Sequence, residues 1–205
     1  LNQRKNHEDH VINVRTLKII NTLKNNYKNL KVYDHHTSHA ASAAFYSKFK
    51  QCFVLTIDGW GDDASSKIFK FDKKGLELLS RTETFNSLGY FYGSITKLLG
   101  FKPHQHEGKI LGLAAYGNPK KAYNELKNLI GYDNRNKKFI GYYEKGVYQA
   151  QYENNNLKYL LKKFSREDIC AATQMVLEET VIKCVKSLSK KKINIALAGG
   201  VFANV

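Results

Sequence analysis

The chain has 205 residues, 42% hydrophobic and 25% charged, enough for one good-sized domain or two small ones. No apolar run approaches the ~18 residues that span a bilayer, so no membrane segment is expected; Cys52, Cys170 and Cys184 follow no pairing pattern, which fits a reducing, cytoplasmic compartment better than a disulfide framework. The net charge is +15, but the lysines sit in scattered short groups such as Lys73-Lys74, Lys120-Lys121 and Lys190-Lys191-Lys192, so composition bias explains the charge better than a nucleic-acid-binding stripe.

Val11, Val14, Leu17, Ile20, Leu23 and Leu30 recur at helical spacing and predict an amphipathic helix over 10–30. Residues 30–33 read as a short strand that delivers the chain to Asp34-His35-His36. Between 38 and 49 the small residues Ala40, Ala41, Ala43 and Ala44 predict a helix packed closely against a neighbour. Residues 52–58 are almost continuously apolar, the pattern of a strand buried on both faces. Residues 65–72 alternate, Lys73-Lys74-Gly75 makes a hairpin turn, and 76–84 return. Three consecutive antiparallel strands are therefore expected, with Asp58 at the end of the first. This opening suits an RNase H-like α/β unit.

Ser87 is the predicted N-cap of a helix over 87–99. A helix over 107–116 should end at Gly117, and another should follow over 119–130. Residues 131–164 are polar and read as a connector or insertion, with 148–156 following no recognisable pattern. Ser165-Arg166-Glu167-Asp168 is a capping signature that opens a long helix to about Leu188. Residues 193–198 then read as a buried strand ending in Gly199-Gly200. The sequence begins at Leu1 and stops just after this strand and turn, with Asn204 near the end, so an internal piece of a longer protein is expected.

Four groups carry candidate chemistry. His35 and His39 are four apart, a spacing that puts two imidazoles on one side of a first helical turn and suits half of a divalent metal site. Asp58 leaves a buried strand at the sheet edge, where an acidic side chain needs a partner; Gly59 and Gly61 let backbone amides approach a phosphate or a metal-bound water, and Asp62 or Asp63 caps the turn. Glu107-Gly108-Lys109 places a lysine at a loop-to-helix junction suited to a phosphate or carboxylate, although the Walker A spacing is absent. Gly199-Gly200 either lets the backbone approach a flat ring or ribose or simply makes a tight turn. No GxSxG, HExxH or CxxC motif is present.

The strings Asp34-His35-His36-x-x-His39-Ala40-Ala41-Ser42-Ala43-Ala44-Phe45 and Asp58-Gly59-x-Gly61-Asp62 resemble the O-carbamoyltransferase family, which includes the nodulation carbamoyltransferase and the enzymes that carbamoylate aminoglycosides and cephalosporins. Ser87-Leu88-Gly89-x-Phe91-Tyr92, Glu107-Gly108-Lys109-Ile110-Leu111-Gly112-Leu113-Ala114-Ala115-Tyr116-Gly117, Asp168-Ile169-Cys170-Ala171-Ala172-Thr173-Gln174 and Leu197-Ala198-Gly199-Gly200-Val201 are similar to the same family and follow in its order. The resemblance implies an α/β, actin/sugar-kinase-like ATPase fold, incomplete here at both ends. It implies carbamoyl transfer to a hydroxyl of a small molecule or sugar from carbamoyl-adenylate, which a separate adenylate-forming domain of the same chain makes from ATP and carbamoyl phosphate. It implies a divalent metal, typically Fe2+, held by His35, His39, Asp58 and a later Asp beyond Val205. On this reading Lys109 contacts phosphate or the carbamoyl group, sharing a cleft with Gly199 and Gly200, which support the adenosine. His36 is either a base for the acceptor hydroxyl or a hydrogen-bond partner of Asp34. A tRNA threonylcarbamoyl-type transferase or a sugar kinase on the same fold is the alternative enzyme, and a non-enzymatic nucleic-acid binder the alternative class.

Overall fold

The computed structural model describes residues 17–141, 157–189 and 192–203. Asn204, Lys190-Lys191, the string 148–156 and the first part of the predicted 10–30 helix lie outside them. Leu1–Asp34 and His35–Val205 are separate units. In the first, helix α1 spans 17–26, and 30–34 carry no strand. That corrects the expectation for 30–33: a strand needs a neighbour to take its backbone hydrogen bonds, and no strand pairing involves these residues among those described.

The second unit runs α2 (His35–Tyr46), β1 (Cys52–Gly61), β2 (Ala64–Asp72), β3 (Gly75–Glu83), α3 (Leu88–Leu98), α4 (Glu107–Ala114), α5 (Pro119–Leu126), β4 (Ile130–Asp133), β5 (Lys138–Gly141), α6 (Leu160–Lys163), α7 (Arg166–Leu188), β6 (Ile195–Ala198) and α8 (Gly200–Ala203). It is a mixed α/β structure. The four-stranded sheet has the order β3-β2-β1-β6, with β1, β2 and β3 antiparallel as expected and β6 parallel to β1.

Strand β1 is covered on both faces, which is why residues 52–57 are apolar but for Thr56. Successive side chains leave a strand on opposite faces. Cys52 and Val54 pack with Ala40 and Ala44 of α2, where the alanines permit close approach. Leu55 and Ile57 join the larger core on the other face, with Leu88, Phe91 and Ile95 of α3 and Ile169 and Val176 of α7. The three cysteines are buried and free.

Two regions of this unit differ most from the sequence reading. The predicted connector contains the β4-β5 hairpin, with Tyr132 paired to Phe139 and Phe139 1% exposed. Its outer polarity hides two inward positions, and α5 ends at Leu126 because Leu129 and Ile130 turn into this core. The second is the turn after β6, where Gly199 leads directly into the single helical turn of α8. No helix among the described residues is long and apolar enough to cross a membrane.

Candidate metal centre and adjoining cavity

The same alternation that puts Cys52 and Val54 against α2 carries Thr56 and then Asp58 to that side of the sheet. Past Ile57 the ladder with β2 is irregular until Gly61 meets Ala64, so the chain at Asp58 is released from regular pairing. Asp62, in the left-handed region at φ 55, turns its carboxylate to the start of α2 and accepts the His35 backbone N–H at 2.7 Å. A carboxylate there also meets the positive end of the helix dipole. Asp62 therefore caps the helix rather than its own turn, and the Trp60 indole N–H donates to its carbonyl. These bonds start α2 at His35, three residues before the 38–49 helix expected from sequence.

His35, His39 and Asp58 converge. Their ligand atoms all lie within 4.8 Å of one another. His35 Nε2 is 3.1 Å and His39 Nε2 3.3 Å from Asp58 Oδ2. Ligand atoms that share one ion at ~2.1 Å, 90–110° apart, are themselves about 3.0–3.4 Å apart, so both separations fit a common ion. Two imidazoles and a carboxylate suit a divalent transition metal and leave positions open for substrate oxygen. The other carboxylate oxygen, Asp58 Oδ1, accepts the Gly200 N–H at 2.5 Å, which fixes the oxygen that faces the imidazoles.

Glycine makes room for this arrangement. A Cβ at Gly61 would sit 2.0 Å from His35 Cδ2. Gly61→Ala is therefore expected to rotate the His35 ring out of place and weaken metal binding about 10–100-fold, the range seen when ligand orientation is lost. The ring is more than a third exposed and belongs to neither hydrophobic cluster, so turning it toward solvent should leave the thermal midpoint in place; metal titration beside a melting curve checks both.

A cavity of about 290 Å³ opens beside Asp58, lined by Gly59, Gly200, Tyr92, His104 and Glu107 among others. Gly89, on the first turn of α3, allows close contact with β1 here: a Cβ would lie 2.6 Å from Gly59 Cα. Ser87 fixes that helix, its Oγ accepting the Tyr90 N–H at 3.1 Å and donating to the Asp58 carbonyl at 3.2 Å.

Two expected site residues lie elsewhere. Lys109 is exposed, its ammonium 5.6 Å from the Phe101 ring centre, and it does not line the cavity with Gly200. Residues two apart on a helix point about 200° apart, and in α4 it is Glu107 that faces the cavity. His36 is fully buried, with Nδ1 2.9 Å from Thr56 Oγ1 and Nε2 3.1 Å from the Ala64 carbonyl. A carbonyl only accepts, so Nε2 carries the proton and Nδ1 accepts from Thr56. Burial holds the His36 pKa below its ordinary value, and both nitrogens are committed to packing α2 on the sheet, which leaves none for an acceptor hydroxyl. Gly59 and Gly200 line the cavity, Gly61 lies under His35, and Gly199 sits behind Asp58. Sequence reasoning missed His104 as a cavity residue, although its neighbour Glu107 stood in a motif already singled out.

The profile of the carbamoyltransferase N-terminus matches residues 2–205. The chain belongs to the carbamoyltransferase family. A protein of Methanocaldococcus jannaschii, MJ1058, is 34% identical over 197 residues, 87% of this chain and 32% of its own length. Nodulation protein NolO of Bradyrhizobium diazoefficiens is 31% identical over 186 residues, 83% of this chain and 31% of its own length. Nodulation protein NolNO of Sinorhizobium fredii is 41% identical over 85 residues, 42% of this chain and 12% of its own length. The chain thus spans about a third or less of these relatives, and the candidate metal centre and the cavity lie within the matched N-terminal region.

Proposed function

We propose that this region is the transfer centre of an O-carbamoyltransferase, moving a carbamoyl group from carbamoyl-adenylate to a hydroxyl of a small-molecule or sugar acceptor. The observation that carries this reading is the convergence of His35, His39 and Asp58 at the edge of a cavity, in a chain of the carbamoyltransferase family. The three residues would hold a divalent ion, Fe2+ being the first candidate. When bound, such an ion supplies positive charge that polarises a carbonyl oxygen or screens a departing phosphate.

The chain's own residues do the positioning. Asp58 is oriented by the Gly200 amide and by Ser87 at its carbonyl. Gly59 and Gly200 present backbone without side chains to the cavity, where a planar carbamoyl group or a phosphate oxygen approaches closely. The parallel pairing of β6 with β1, which brings Gly199 and Gly200 to Asp58, supports placing the adenylate at this edge and reading the sheet as part of an actin/sugar-kinase-like ATPase fold. The adenylate itself, formed from ATP and carbamoyl phosphate, would come from a separate domain of the same protein.

The test uses the full-length protein with labelled carbamoyl phosphate, ATP and a panel of sugar and small-molecule alcohols. ATP-dependent label in an acceptor, lost on chelation and restored by Fe2+, is expected. Absence of any ATP-dependent carbamoyl transfer would overturn the reaction, and transfer indifferent to exhaustive chelation would overturn the metal.

A further inference from the structure

The three side chains of the candidate metal centre are not held alike. Asp58 is fixed twice, its Oδ1 by the Gly200 amide and its carbonyl by Ser87 Oγ. His39 lies one turn inside α2, where helix geometry sets it. His35 is the first residue of that helix, and the first N–H groups of a helix have no partner within it. A metal-bound imidazole usually donates its second ring N–H to an acceptor that fixes the ring. Among the described residues His35 Nδ1 has no such partner, Nε2 being the nitrogen that meets Asp58. The place of this ring therefore rests on packing and on its backbone. The ring lies against Gly61 and meets His36 and His39 edge-on. Its backbone N–H donates to Asp62 Oδ2 at 2.7 Å, a bond that joins the end of β1 to the start of α2.

Asp62 is itself anchored. The Trp60 indole N–H donates to its carbonyl, Gly61 before it pairs with Ala64, and Arg81 of β3 holds the next residue, Asp63, at 2.7 Å. Asp62 is held in the left-handed region at φ 55. His104, at φ 64 on the wall of the cavity, is held likewise by a bond to a carboxylate, its backbone N–H donating to Glu107 Oε1 at 2.6 Å. Backbone of this kind persists only where its surroundings fix it, and it gathers where functional groups must be aimed.

We propose that Asp62 is the positioning residue of His35: by holding the His35 backbone N–H it sets where that imidazole stands against Asp58, and so the affinity of the metal centre. This rests on the metal centre of the proposed carbamoyl transfer. Asp62 is not itself offered to the ion, since its Oδ2 is spent on the amide and the converging ligand atoms belong to His35, His39 and Asp58. Without the carboxylate the His35 amide turns to water and the first turn of α2 loosens, while His39 and Asp58 keep their own supports.

The experiment is a double-mutant cycle read by Co2+ titration of the full-length protein. Asp62→Ala should weaken Co2+ binding about 10–100-fold. Asp62→Gly, which takes the left-handed backbone without strain, should do the same and guards against a folding defect. Asp62→Asn, whose side-chain oxygen also accepts a helix amide, should stay within a few-fold of wild type. In a His35→Ala background, where the aimed imidazole is gone, Asp62→Gly should change the remaining affinity less than about 3-fold, because the two residues act as one unit. Equal losses in both backgrounds would make Asp62 a general support of the helix or a ligand in its own right and would overturn the proposal. So would wild-type affinity in both Asp62→Ala and Asp62→Gly, or a loss in Asp62→Asn as large as theirs. Wild-type protein that binds no Co2+ would instead remove the metal centre from the proposed function, and this inference with it.

Discussion

His39→Ala is expected to lower carbamoyl transfer at least 100-fold while leaving the fold in place. Disturbing only the neighbours of a metal ligand commonly costs about 10–100-fold, and removing the ligand itself should cost no less. His39 contributes one of two imidazole nitrogens beside Asp58 Oδ2, at 3.3 Å. Its side chain is 37% exposed and belongs to neither hydrophobic cluster, so truncation opens no cavity. Substitutions at such positions usually shift stability by less than about 0.5 kcal/mol. Transfer assays paired with thermal melts of the full-length protein check this. Transfer within a few-fold of wild type would count against His39 as a ligand, and a collapsed melt would make it structural.

Gly199→Ala should have the largest effect on stability. Gly199 has φ +100, outside the range an L side chain readily adopts, and a Cβ would sit 2.4 Å from the Ile57 carbonyl oxygen and 2.8 Å from Asp58 Oδ2. The first contact is with backbone of the central strand, which has little room to yield. The expected loss is about 2–4 kcal/mol, in the range of strained or overpacked sites, or about 5–15 °C in a domain of this size. Pushing β6 from β1 also removes the Gly200 amide from Asp58 Oδ1, so metal affinity should fall with stability. Calorimetry of the variant measures the first, and an unchanged midpoint would show that the β6 turn is more yielding than its geometry indicates.

What the sequence made legible follows from how local each signal is. The nearly continuous apolar run of β1 and the Lys73-Lys74-Gly75 turn of the following hairpin act over a few residues, so three strands and their order could be read directly. The convergence of His35, His39 and Asp58 was legible because one strand end and one helical turn carry them. The β4-β5 hairpin was not: only Ile130, Phe139 and a few neighbours face inward, and their polar surroundings dominate the composition. Lys109 drew the phosphate reading by its charge, but helix phase decides which residue of α4 faces the cavity, and two residues away it is Glu107. His104 gave no periodic or capping signal, because a left-handed backbone held by a downstream carboxylate depends on the folded loop. His36 was open to a base or a structural reading, because its partners Thr56 and Ala64 lie across β1 and β2 and are distant in sequence.

The most direct test is a Co2+ titration of the full-length protein beside its Asp58→Asn variant, followed by the d–d absorption of the bound ion. If His35, His39 and Asp58 hold the ion, wild type gives a saturable signal from a site with nitrogen and oxygen donors, and Asp58→Asn binds at least about 10-fold more weakly. Equal affinity and an identical spectrum in the two proteins would contradict the central claim that these three side chains form the metal centre.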